Sequence, residues 1–487
     1  MPTMRSPWFV LVVLAGLPAC TVAGVPNAGT GGNGGNAPSG AGGTTGTSSL
    51  TCKGLECSKT TCAKGPCTQK PCAAGQSTTV TGVVYDPAGK VPLYNVTVYV
   101  PNLPIQPLKP IVEGVTCDRC QMAIAGSVSS ALTDAGGAFR LNDVPVGTNV
   151  PLVIEVGKWR REIKIPTVTA CTNTAIADKN LTRLPRNQGE GHIPRMALTT
   201  GGADALECLL RKIGIEDSEF TPESRSGRVN LFAGGNHLGF AESDTSAGAA
   251  GYTSTLYGGD TFTDAEDWWK SVENLKKYDI VLHSCDGESE PMNKGPEAVT
   301  ALQAYANVGG RVFLSHWHNS WLRDAAPPLS TVGFFDSTED IAEMFVSTID
   351  TGFPKGIALA DWLVNVGAST TRGRLPIVGG RHTVRTINPM VAQRWIYLDM
   401  PDTIQYLTAN TPVGAAATAQ CGRVVFSDLH VSSGLRRDGI DDKSTPFTPF
   451  PTGCVTKDLS PQEKALEFML FDLSSCIRGD DVPPIVE

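Results

Sequence analysis

A chain of 487 residues is too long for one small domain, and two or three are expected. Its net charge of −8, with no basic run, argues against nucleic-acid binding. The hydrophobic content of 41% allows sizeable buried cores.

The chain opens as an export signal. Arg5 supplies a positive start, and "PWFVLVVLAGLPA" is a short apolar run, too short for a comfortable membrane span. It ends in "LPAC", which resembles the bacterial lipobox, although Pro18 departs from the small residue usual there. That resemblance implies a signal peptide over 1–20, a lipidated Cys20 and attachment to a membrane. Thr21, in place of the Asp that retains lipoproteins at the inner membrane, implies the outer membrane or cell surface. No other segment is long and apolar enough to span a bilayer. The chain has 14 cysteines, so 13 remain after Cys20. In an oxidising compartment most should pair, leaving at least one free or joined to another chain.

Residues 21–50 are Gly, Ser, Thr, Asn and Ala with little to bury, a flexible tether reaching about 30 Å. Residues 51–77 follow with Cys52, Cys57, Cys62, Cys67 and Cys72 at five-residue intervals. Zinc ribbons use paired C-x2-C knuckles, so a disulfide-stapled stalk is the first reading and a metal tract the second. Five is odd, so one partner must lie elsewhere.

Residues 78–185 alternate apolar and polar residues between turns "DPAGK", "TDAGG" and "VPVGTN", the pattern of an antiparallel β-sandwich. "VTGVVYDPAGKVPLYNVTVYV" with "TDAGGAFRLNDVPVGT" resembles the carboxypeptidase regulatory-like domain, a transthyretin-like sandwich. The resemblance implies an accessory module without chemistry of its own. An insertion over about 103–130 carries "CDRC", with Cys117 and Cys120. A loop disulfide between them is the first reading, and a redox pair the second.

Over 193–480 the period changes. Strands "RMALTT", "RVNLFAGG", "DIVLHSC", "RVFLS", "QRWIYLD" and "GRVVFSD" alternate with helices "ADALECLLRKIGI", "DAEDWWKSVENLKKY", "GPEAVTALQAYANVGG" and "GIALADWLVNVG". A last helix, "SPQEKALEFMLFDLSSC", opens with a capping box, Ser460 to Glu463. Apolar strands alternating with helices predict an α/β doubly wound, mostly parallel sheet. "TTGGAD" reads as a tight turn with Asp204 near the helix cap. Cys171, Cys208, Cys421, Cys454 and Cys476 are disulfide candidates, and with Cys285 they should give at least two bridges within 171–476.

In such a sheet, ligands bind beyond the carboxyl ends of the strands. Five of the seven histidines fall there: His237, His283, His316, His318 and His430. Asp286, Glu288 and Asp428 travel with them. His283, Cys285, Asp286 and His316 are expected to line one crevice as candidate catalytic residues. His316, His318, Asp428 and His430 are candidate ligand or metal residues. If the segment stays extended, His316 and His318 point opposite ways, so only one joins the site. Trp317 and Trp321 are either stacking platforms or core. The competing reading makes the histidines supports for loops.

"KKYDIVLHSC", "LQAYANVGGRVFLSHWH" and "CGRVVFSDLH" resemble the ThuA-like and class I glutamine amidotransferase-like superfamily, which implies a flavodoxin-like α/β fold. "HSCDG" lacks the first glycine of that group's nucleophile turn, and its His-x-Glu pair is missing, so amidotransferase chemistry is not supported. Two functions follow. One is a lipid-anchored envelope protein binding an envelope or extracellular ligand, a glycan by family analogy. The other is a hydrolase, using either a zinc-like divalent metal on His283, His316 or His318, His430 and Asp428, or Cys285 as a nucleophile served by a histidine.

Overall fold

A computed structural model describes residues 69–102, 108–120, 126–235, 248–287, 293–338, 340–431, 436–437, 440–441, 448–455 and 457–484. The segment expected to be a signal peptide with Cys20, the expected tether, Cys52, Cys57, Cys62, Cys67, His237 and Glu288 lie outside them. What is described is mostly β, with several sheets and few helices.

The first part pairs two small sheets. One orders Ala138–Leu141, Thr79–Val83 and Asn173–Ile176, and the other Ser127–Leu132, Thr97–Pro101, Gly147–Val156 and Trp159–Val168. The turns form as their chemistry dictates. Asp86 accepts the amides of Lys90 (2.7 Å) and Val91 (3.1 Å), and Asp134 those of Gly136 (2.8 Å) and Ala138 (2.9 Å). One expectation is corrected here. Thr79–Val83 runs parallel to Asn173–Ile176, so the sandwich is not wholly antiparallel.

The second part is built on an 11-stranded sheet. Thr263–Asp264, Val229–Ala233, Met196–Thr199, Ile280–His283, Arg311–Ser315 and Gly422–Ser427 lie side by side and parallel. Their residues are buried on both faces in the central strands, which is why they read as unbroken apolar runs. Beyond Gly422–Ser427 the direction reverses. Asp402–Thr411, Gln393–Asp399, Met344–Ile349 and Arg374–Val378 are antiparallel to their neighbours. The sheet is therefore mixed, where a mostly parallel one was expected. Arg374–Val378 alternates exposed and buried positions, with Leu375 and Ile377 turned inward, whereas Asp402–Thr411 is buried along most of its length.

The last helix, Pro461–Ser474, has its expected capping box. It joins the two parts. Trp159 meets Phe471 edge-on at 5.6 Å and Tyr94 stacks on Phe468 at 5.6 Å, while Trp362, from the helix Pro354–Asn365, adds a link by donating through Nε1 to Pro92 O at 2.6 Å. One continuous apolar cluster runs from Val80 to Leu473 through both parts.

Four disulfides are described: Cys72–Cys171, Cys117–Cys421, Cys120–Cys476 and Cys208–Cys454. The stalk cysteine Cys72 does find its partner elsewhere, at Cys171. Two expectations fail. Cys117 and Cys120 do not bridge each other, because the segment 115–120 lies along the sheet ends, where Arg119 pairs with Ile477. Within 171–476 only Cys208–Cys454 closes, since Cys171, Cys421 and Cys476 pair back to earlier cysteines. Such pairing fits an extracytoplasmic protein. No helix among the described residues is long and apolar enough to cross a membrane.

Candidate functional site

Ile280–His283 and Arg311–Ser315 are adjacent and parallel, with His283 opposite Leu314. Arg311–Ser315 is flanked on its other side by Gly422–Ser427. All three strands end at the same edge of the sheet, and Cys285, His316 and His430 follow within three residues of those ends.

His316 departs from the strand at φ 41°, an uncommon conformation for a side-chain-bearing residue. The backbone then turns through a short 3₁₀ segment, His316–Asn319. This turn carries His316 Nδ1 to 3.2 Å from Cys285 Sγ. The His430 ring meets His316 edge-on, 5.0 Å between centroids. Cys285 Sγ and a ring nitrogen from each of His316 and His430 lie within 4.8 Å of one another. All three are buried, at 0%, 5% and 2% exposure. Cys285 is the free cysteine among the described residues.

Close backbone packing supports this cluster. A Cβ on Gly201 would lie 2.1 Å from Cys285 O, so only glycine lets the 200–204 turn sit against Cys285. Asp204 follows in that turn. It is not the helix cap, which falls on Ala205. Instead its carboxylate is buried, accepts from Val431 N–H at 2.6 Å and from the Ser315 hydroxyl, and so links the turn to the two strands that carry His316 and His430. Burial pushes Asp204 up to about 7. Burial, and then the Asp204 charge, also drive the Cys285 thiol well up, so without a cation beside it the sulfur is a protonated thiol.

His283, His318 and Asp286 form a second group. Trp321 Nε1 donates to His318 Nδ1 at 2.8 Å, so the proton of His318 is on Nε2, which donates to Ser284 O at 2.8 Å. His318 is therefore neutral, and burial depresses its basicity. His283 shares a 3.0 Å hydrogen bond with Thr199 Oγ1 and stacks on Trp321 at 5.3 Å. Burial, and then His318, hold it well below the usual histidine range. Asp286 accepts from Lys294 Nζ at 2.6 Å and from Gly235 N–H at 3.0 Å. Burial opposes its charge, but the His318 Nε2–H, 3.3 Å from Asp286 Oδ1, and the Lys294 ammonium outweigh it and keep the carboxyl ionised. With His318 neutral, Lys294 supplies the full opposing charge.

The expected rim thus divides. Cys285, His316 and His430 converge. His283 and His318 are instead packed with Trp269 and Trp321 as an aromatic support, and Asp286 is spent on Lys294. Of the metal set expected from His283, His316 or His318, His430 and Asp428, His316 and His430 come together, while His283, His318 and Asp428 do not join them. Asp428 leaves its strand toward His382–Ile387, where it accepts from Thr383 N–H (2.9 Å) and Oγ1 (2.7 Å). Trp321 is wholly buried, while half-buried Trp317 lies against His316 at 4.5 Å. Sequence reasoning missed Asp204 and Lys294 as members of the site. Asp204 follows a strand end like the rest, which was the available signal.

No family model matches the chain, and no curated protein does. Among solved structures, a ThuA-like protein from Bacteroides uniformis is similar at 9% identity and TM-score 0.26, over 48% of this chain and 80% of that one. Two type II cohesin–X-dockerin complexes from Acetivibrio cellulolyticus are similar at 21% and 20% identity and TM-scores of 0.15 and 0.16, over 28% of this chain and 71% and 85% of theirs. At these scores the likenesses carry no argument about function.

Proposed function

We propose that the chain is an exported, lipid-anchored cell-envelope protein that binds an envelope or extracellular glycan in the crevice above Cys285, His316 and His430. The observation that carries this is the convergence of these three residues from adjacent strands at the carboxyl edge of the parallel half. That edge is where open α/β sheets take ligands. The order of its main strands, numbered along the chain, is 2-1-3-4-5, which supports the flavodoxin-like reading of this half. "LPAC", the glycine-rich tether and the disulfides support export and anchoring. Trp317 beside His316 offers a half-buried aromatic face of the kind sugars stack on. The test is cosedimentation with isolated peptidoglycan and with outer-membrane polysaccharide. Saturable retention that His316→Ala abolishes supports the reading. Retention by neither polymer, or retention unchanged in that variant, overturns it.

A second reading, a cysteine hydrolase, is favoured by the 3.2 Å contact between Cys285 Sγ and His316 Nδ1, within reach for proton transfer from thiol to imidazole. The complete burial of the sulfur weighs against it. Rapid alkylation of Cys285 in the native protein would favour this reading over binding alone.

A further inference from the structure

A free cysteine is out of place in this chain. Eight described cysteines are paired, and Cys285 alone among the described residues stays reduced. Burial keeps oxidants away, but does not explain why a thiol should face two imidazoles. One other group of three potential donors exists among the described residues, Glu207, Cys208 and Cys454. Its two sulfurs are consumed by their own disulfide. In the cluster of Cys285, His316 and His430 the sulfur is not taken up by a disulfide.

We infer that Cys285, His316 and His430 form a three-donor site for a zinc-class divalent ion. The inference rests on the reading that this cluster is the ligand-facing site, and it deepens that reading by naming an inorganic component. Thiolate with imidazole suits zinc, which takes sulfur at about 2.3 Å and nitrogen at about 2.0–2.1 Å. Tetrahedral bonds of those lengths place donors about 3.4–3.6 Å apart. Cys285 Sγ and His316 Nδ1 are 3.2 Å apart, and all three donors fall within 4.8 Å, so side-chain rotation closes the set. The φ of 41° at His316 aims its ring at the sulfur, as a held ligand requires. Binding converts the Cys285 S–H to thiolate and releases one proton, and the cation compensates a charge that burial otherwise forbids. Three protein donors leave a fourth position for water or a ligand oxygen, the arrangement of open zinc sites.

The test uses tag-free protein purified without chelator. Elemental analysis should find about one zinc per chain. X-ray absorption at the zinc edge on the wild-type protein should find one sulfur and two imidazoles in the first shell. Cobalt(II) exchanged for zinc should give a thiolate charge-transfer band that Cys285→Ser removes. His430→Ala should weaken cobalt binding by more than ~10-fold, since loss of outer-shell partners alone reaches that size. A metal-free native protein that takes up no stoichiometric zinc overturns the inference, as does a first shell without sulfur. If Cys285→Ser does not fold, the wild-type absorption spectrum decides alone. Zinc failure with His316-dependent glycan retention removes the ion and leaves the binding reading standing. A sulfur-and-imidazole shell without glycan retention does the reverse.

Discussion

Cys285 and His316 stand 31 residues apart, yet their Sγ and Nδ1 atoms are 3.2 Å apart, because each follows one of two neighbouring parallel strands. His318, two residues on, faces a different environment, with both ring nitrogens engaged inside the fold. The two histidines should therefore fail differently. His316→Ala should keep the fold and lose ligand retention. His318→Ala strands the Trp321 N–H and the Ser284 carbonyl and opens a cavity, costing about 2–4 kcal/mol. Urea unfolding of both variants checks this, and equal loss of stability in the two would contradict it.

The insertion is fastened to the sheet ends by Cys117–Cys421 and Cys120–Cys476. Replacing both Cys120 and Cys476 with Ser should lower stability by about 2–5 kcal/mol. Peptide mapping without reduction should recover the 117–421 and 120–476 pairs. Recovery of a 117–120 peptide would refute this topology.

How far the sequence revealed this depends on the range of the interaction. Local chemistry was legible: the Asp86 and Asp134 turns, the Ser460–Glu463 box, and the strands whose ends carry Cys285, His316 and His430. Partner choice was not. Only two residues separate Cys117 from Cys120, and nothing local tells it to find Cys421 instead. Of the antiparallel half only Gln393–Asp399 was legible as a strand, because Met344–Ile349 and Arg374–Val378 carry exposed positions that break the unbroken buried run of the parallel strands. Assigning His283 to the crevice failed for a related reason. Strand position gave its neighbourhood, but Trp269 and Trp321 decided its packing, and they come from elsewhere in the chain.

Asp86 and Glu467 face each other in the buried seam between the two parts. Burial first, and then the Asp86 charge, hold Glu467 well above the usual carboxyl range, and burial raises Asp86 to about 6. A raised carboxyl stabilises the fold fully below its unfolded value, and that contribution is lost as pH rises through the folded one. Stability should therefore fall from about pH 4 upward through 6 and beyond. Glu467→Gln should flatten that slope without abolishing it, because Asp204, Glu207 and Asp428 are also raised, to about 7, 8 and 6. Thermal melts across this range decide it, and an unchanged slope in the variant would be the contrary result.

Asp286 and Lys294 are a buried ion pair at 2.6 Å. Lys294→Met leaves the Asp286 charge uncompensated and should cost about 3–5 kcal/mol. Adding Asp286→Asn should recover much of that loss. A depressed carboxyl contributes stability above its unfolded value and loses it as pH falls, so the wild type should weaken in acid through this pair more than the double variant. Denaturant midpoints for the four proteins of the cycle give the answer. Additive losses would mean that the pair is not coupled.

With seven histidines in the chain, the imidazole Cε1–H signals can be resolved and assigned by substitution in a carbon-13-histidine-labelled sample. Titrating soluble peptidoglycan fragments and outer-membrane polysaccharide into this sample reads the crevice directly. His316 and His430 should shift with one of these glycans, while His283 and His318, enclosed by Trp269 and Trp321, should stay in place. Shifts at His283 and His318 with none at His316 and His430, or no shift with either glycan, would contradict the account.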